Sequence, residues 1–222
     1  MPNQPLVQTG HTPDLLRQLA SSGARDATDS LPCFGERLSR LFGLGDTMTL
    51  DAAIAFRTRQ PGMPQDAMAD RLTGELATLR QALVRRIQAY GEELDAEGES
   101  SSEQALNAWL ALQRKVAANS RQLRDKVRKA MKDQGQTLAR LAALDEVFDH
   151  TMAGYTAQSF SYIPRVLEQR FENPQTASGQ TTDGFHRYCE EARSLLLAEL
   201  DVRLEPVLGL LEACHHEVNK TP

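Results

Sequence analysis

The strongest constraint on this chain is the spacing of its apolar residues. Leu138, Leu141, Leu144, Phe148, Met152 and Tyr155 follow one another at steps of 3, 3, 4, 4 and 3. Such steps place all six on one side of a helix. A further set, Val166, Leu167 and Phe171, follows Pro164. The stretch from Leu138 to Asn173 therefore reads as the element around which the chain is organised. Pro164 has no amide proton and clashes with the preceding turn, so the helix either kinks there or a new one begins near it.

The same period recurs elsewhere. Met68, Leu72, Leu76, Leu79, Leu83 and Ile87 predict a helix from Gln65 to about Leu94. Trp109, Leu112, Val116, Leu123, Val127 and Ala130 share one side of a second long helix that starts near Ser102 or Glu103. Gly135 bends or interrupts it. Thr182 or Asp183 caps a last helix, in which Leu197, Leu200, Leu204, Val207, Leu211 and Cys214 form a packed seam and Pro206 introduces a kink. No strand pattern of useful length and no internal repeat occurs. The expected fold is all-α: an elongated, kinked helical bundle.

Ahead of the long helices, residues 1–64 read as a segment of short helices. Thr12, Pro13 and Asp14 open one that ends at Gly23, and Ser30 opens another that Gly43 and Gly45 stop. Thr49 caps a third, Leu50 to Arg59, before the turn QPGMP. Helices under ~12 residues are marginal alone in water, so these should dock on the long-helix bundle of residues 65–222, in one folding unit with it.

Charge is segregated along the chain. The net charge is -5, yet residues 92–103 hold six acids and no base, whereas residues 114–132 hold eight bases and one acid, Asp125. The acidic run, with Gly98 and three serines, reads as a solvated loop or hinge. Arg114, Arg121, Arg124, Arg128 and Lys132 fall within an arc of roughly 80° on the side of the helix opposite its apolar residues. At ~1.5 Å per residue this row is about 27 Å long.

Three readings fit the row. Spaced bases track a phosphate backbone and bind it without reading bases. They also suit an acidic protein surface, or a plain surface face whose arginines pair with the protein's own acids. The apolar seams build a core, and they equally suit a helical partner or self-assembly into a homo-oligomer.

Signals for chemistry are sparse. Cys33, Cys189 and Cys214 are three, far apart and without a CxxC pair, which argues against a zinc site or a disulfide framework. Cys189 and Cys214 lie on the apolar side of the last helix, where free thiols are usually inert packing. His215, His216 and Glu217 are adjacent and point about 100° apart, so they read as a polar cap and not a metal site. Asp145, Glu146, Asp149 and His150 lack the ExxH pair of bundle metal centres and read as a solvated or salt-bridged face. There is no phosphate loop, nucleophile elbow or HExxH. No cofactor and no metal are expected. The start MPNQPLVQTG lacks a basic region followed by an apolar run, so no signal peptide is expected, and the chain reads as cytoplasmic.

The segments LARLAALDEVFDHTM, IPRVLEQRFE and LLLAELDVRLEPVLGLLEA, with Asp145, Pro164, Arg170, Phe171 and Pro206 in place, carry a resemblance, and the earlier ERLSRLF fits it too. The set resembles a bacterial family of helical proteins encoded beside MotA- and MotB-like motor genes, the ZorF accessory subunits of type III Zorya anti-phage defence systems. The resemblance implies a cytosolic partner of an ion-driven membrane complex, working with a second soluble subunit of the ZorG type against invading DNA. Its motifs are structural, so it carries over no catalytic residue.

The expectation that joins both lines is a non-enzymatic defence subunit that binds double-stranded DNA through Arg114, Arg121, Arg124, Arg128 and Lys132. The alternative is a structural adaptor whose basic row grips an acidic protein. A third class is a nucleic-acid hydrolase with Asp145, Asp149 and His150 around a divalent ion.

Overall fold

The computed structural model describes residues 42–57, 62, 65–92, 102–172 and 181–220, together with Leu15, Arg17 and Gln18. The expected helices at 12–23 and 30–42, the QPGMP turn, most of the acidic run and most of the loop after Phe171 lie largely outside these residues. Six helices cover most of the rest: α1 (Leu44–Ile54), α2 (Asp66–Gln88), α3 (Ser102–Met131), α4 (Gln136–Phe160), α5 (Tyr162–Glu172) and α6 (Thr181–Lys220). Among the described residues there is no strand. The fold is an all-α helical bundle, as the apolar periodicity predicts.

The organising element is not the expected one. α6 packs against α2, α3, α4 and α5 and contributes more buried side chains than any other helix, among them Leu195, Leu196, Leu200, Leu204 and Val207. On α4 the first turns, at Leu138, Ala139 and Ala142, and the last residue, Phe160, are buried, while Phe148 and Tyr155 between them are exposed. Periodicity reports that residues share a side. It does not report how much protein lies against that side.

Pro206 sits inside α6 and does not end it. A proline in a helix interior costs about 3 kcal/mol, because it removes a backbone hydrogen bond and crowds the preceding turn. Leu204, Val207, Leu210 and Leu211 flank it and are all buried. Full burial of such side chains contributes roughly 1.5–3 kcal/mol each, so packing outweighs the defect.

α2 and α3 lie across this core helix. Trp109 of α3 is fully buried, and its indole Nε1 donates to the Ala192 carbonyl of α6 at 3.0 Å. The Tyr90 hydroxyl, just past the end of α2, donates to the Ala105 carbonyl at 2.9 Å and ties α2 to the start of α3. Gly91 beside it has φ 96°. A Cβ there would stand 2.8 Å from Cys189 Sγ, so both backbone and space call for glycine. Gly135, at φ 105°, precedes α4 and turns the chain back along α3. In that turn Gln134 Oε1 accepts the amide of Gln65 at 2.7 Å and fixes the entry to α2.

The break at Pro164 takes the second of the two forms expected. α4 stops at Phe160, Ser161 turns, and α5 begins with Pro164 as its third residue, where a missing amide proton costs little. α5 buries Ile163 and Leu167.

α1 corrects the expected Leu50–Arg59 helix. It starts ahead of Thr49 because the Asp46 carboxylate reaches back to the Gly43 amide at 2.9 Å, satisfying a free donor at the helix start. Gly43 therefore opens a helix, and Gly45 lies within it.

Candidate functional site

The expected basic row is divided by the fold. α4 folds back along α3 across Gly135. Asp145 and Asp149, four residues apart on α4, thereby come level with Arg128 and Arg124 of α3. Arg124 holds Asp145 with two nitrogens, Nε at 2.8 Å and Nη2 at 2.6 Å, and Asp149 with Nη1 at 2.7 Å. Arg128 reaches Asp145 and Asp149 at 3.1 Å and also pairs with Asp125 of its own helix. Their side chains retain only 16% and 9% exposure. Burial opposes the charge on Arg128. The hydrogen bonds to Asp125 and Asp149, with the nearby Asp145 charge, outweigh it and hold the guanidinium above its ordinary pKa. Lys132 pairs with Glu146 at 3.1 Å nearer the surface.

The expectation of five bases in one free row is therefore corrected. Arg124 and Arg128 face α4, and Lys132 leans on it. Arg114 and Arg121 are exposed, and neither makes an ion pair among the described residues. Among the described residues, the acids that take up the other three bases are Asp145, Glu146 and Asp149 of α4, with Asp125 of α3. The salt-bridged reading of Asp145 and Asp149 holds. His150 is exposed and makes no contact with the two guanidiniums that occupy these carboxylates.

A second surface, not anticipated from the sequence, lies on α1. Its apolar residues point in all directions, with Leu44, Met48, Leu50, Ala53 and Ile54 spread around the axis. Of these only Ala53 is buried. α1 runs antiparallel along α4: Thr151 donates to Asp46 at 3.2 Å near one end, and Arg140 Nε donates to the Phe56 carbonyl at 3.1 Å near the other. Leu44 is 80% exposed and Met48 67%, and Phe148 and Tyr155 of α4 are also exposed. Phe42 meets Phe148 edge to face, with centroids 5.3 Å apart.

Inside the bundle, Glu199 of α6 is fully buried. Gln113 of α3 donates to its Oε2 at 2.8 Å, and Arg203 holds its Oε1 at 2.7 Å. The Arg203 guanidinium also lies 3.9 Å from the centre of the Phe160 ring, at the end of α4. Burial pushes the Glu199 carboxyl pKa up, against the pull of Arg203 and Gln113. This network joins three helices and is enclosed, so it acts on packing. The Cys214 thiol is buried too, and burial raises its pKa to about 11, in keeping with an inert core thiol.

His215 does not act as a plain cap with His216 and Glu217. It lies against Asp66 and Asp70 of α2, with all three sets of donor atoms within 4.8 Å of one another. A sequence reading compares neighbours along the chain, and these residues are brought together only by the packing of α2 on α6. Between α2 and α3 lies an open groove of about 680 Å³ lined by Gly74, Thr78, Leu79, Ala82 and Leu123. The Lys126–Glu75 ion pair joins the same two helices.

These features define an all-helical protein whose most conspicuous surfaces are an apolar helix face and a shortened row of free arginines. No helix among the described residues is long and apolar enough to cross a membrane. The chain belongs to the family described as "Protein of unknown function (DUF3348)", whose family model matches residues 1–216. No curated protein and no solved structure matches it.

Proposed function

We propose that this protein is a non-catalytic assembly subunit that docks another protein through the outer face of α1 and the adjoining part of α4. The observation that carries this reading is a short helix whose apolar residues, interleaved with Asp46, Thr47, Thr49 and Asp51, leave Leu44, Met48 and Ile54 exposed beside Phe148 and Tyr155 of α4. Clustered apolar side chains at such exposure mark interaction surfaces, because leaving them in water forfeits the stabilisation that burial gives. The resemblance to ZorF supplies the setting: an anti-phage defence complex in the cytoplasm, a MotAB-like membrane motor, and a second soluble subunit of the ZorG type as the protein that docks.

The test replaces Leu44 and Met48 together with Glu. Both are exposed, so stability should change by no more than about 0.5 kcal/mol per substitution. Co-purification with a ZorG-type soluble subunit, from nuclease-treated lysate, should be lost. Unchanged co-purification removes α1 from the interface.

A second reading, binding of double-stranded DNA, is favoured by Arg114 and Arg121, which stand exposed and outside the ion-pair network. It is narrower than a five-base row, because Arg124 and Arg128 would have to leave Asp145 and Asp149 to reach a phosphate. Retention of duplex DNA in a gel shift should fall with rising salt and disappear in Arg114→Glu with Arg121→Glu. Retention unchanged by both treatments excludes this pair.

A further inference from the structure

Asp66 and Asp70 stand one helical turn apart at the start of α2, and His215 stands in the last turns of α6. The three come from elements 145 residues apart in sequence, and their donor atoms lie within 4.8 Å of one another. Three further observations bear on what this arrangement can hold.

First, the two carboxylates face the same point without a compensating lysine or arginine. Neither makes an ion pair with such a base among the described residues, and the nearest cationic candidate is His215, whose Nδ1 lies 3.8 Å from Asp66 Oδ1. Two anionic groups held close by a helix repel, and a cation between them relieves that repulsion.

Second, the imidazole is oriented from outside the trio. His215 Nε2 lies 3.2 Å from Thr73 Oγ1, on the next turn of α2. When Nε2 carries the proton and donates it to Thr73, Nδ1 presents its lone pair towards Asp66. A ligating histidine is ordinarily fixed in this way, its second nitrogen bonded to an outer oxygen that sets the tautomer.

Third, the donor set is selective. One imidazole nitrogen with two carboxylate oxygens suits zinc, whereas calcium and magnesium prefer oxygen alone. Coordination distances of about 2.0–2.2 Å bring donors closer together than they stand here, a closure of order 1 Å that exposed Asp side chains make by changing rotamer.

We propose that Asp66, Asp70 and His215 form a divalent transition-metal site, with zinc as the fitting ion. The protein supplies three ligands and leaves a fourth position for water or a donor from another molecule. Bound zinc clips the first turn of α2 to the last turns of α6, so the ion acts on the bundle's own geometry. This assignment is independent of the α1 docking face.

The test uses the full chain, freed of metal with a chelator and titrated with zinc by calorimetry. One equivalent should bind and raise the thermal midpoint, since a ligand that binds only the folded state stabilises it. Asp70→Asn and His215→Gln should each weaken the binding by about tenfold or more. His216→Gln, which alters the adjacent imidazole that points elsewhere, should leave it unchanged. Circular dichroism should show all three variants as helical as the parent; a variant that loses helicity is replaced by Asp66→Asn, which changes a well-exposed side chain. Absence of a bound equivalent overturns the proposal. So does binding that survives in His215→Gln, or that is lost equally in His216→Gln.

Discussion

Arg124 grips Asp145 across 21 residues of sequence with two nitrogens, Nε at 2.8 Å and Nη2 at 2.6 Å. A guanidinium and a carboxylate match in this planar, two-point fashion, which fixes orientation as well as distance. The contact joins α3 to α4 and explains why a helix with an exposed outer half stays aligned along its neighbour. It also decides the fate of the basic row. A side chain committed to a partly buried carboxylate leaves it for phosphate only at the cost of stranding that carboxylate.

Arg128 is the more buried of the two arginines and serves three aspartates. Its replacement by Ala leaves Asp145 and Asp149 facing each other with one guanidinium between them. Stability should drop by about 2–4 kcal/mol, within the range for breaking a buried pair and lowered by the partial exposure of Asp149. Urea unfolding followed by circular dichroism measures this. A change under 0.5 kcal/mol would place the cluster with ordinary surface pairs.

Glu199 gives the protein a pH dependence whose sign is set by burial. Its pKa is raised in the folded state, chiefly by loss of water. The folded protein therefore holds this proton at pH values where the unfolded chain has released it. The contribution to stability is fully present below the unfolded value, about 4.3, and is lost as pH rises through the folded value. Glu199→Gln has no such titration. The stability of the parent minus that of the variant should fall as pH rises above the unfolded value, measured by urea unfolding at each pH. A difference that grows with pH contradicts the burial argument.

Trp109 is the single tryptophan, fully buried, with its indole proton satisfied by the Ala192 carbonyl. Its fluorescence should be that of an apolar site and shift to longer wavelength on unfolding. Trp109→Phe removes both ring volume and the hydrogen bond, and leaves that carbonyl with only its helical donor. Destabilisation of about 1–3 kcal/mol is expected from the cavity and the lost bond together. Circular dichroism melts of parent and variant check it, and an unchanged midpoint would show that the site closes around the smaller ring.

Sequence alone determined the helices, because each long one carries enough apolar residues at helical spacing to register above noise, and because Gly135 and Pro164 punctuate where backbone chemistry demands. It also marked Trp109, Val116 and Leu204 as core. The dominance of α6 over the 138–173 stretch, the diversion of Arg124 and Arg128 to Asp145 and Asp149, the meeting of His215 with Asp66 and Asp70, and the bare outer side of α1 were decided only by the tertiary structure. The reason is geometric. Periodicity says which residues on one helix point together, whereas burial and charge pairing depend on what a different helix, tens or hundreds of residues away, brings opposite them.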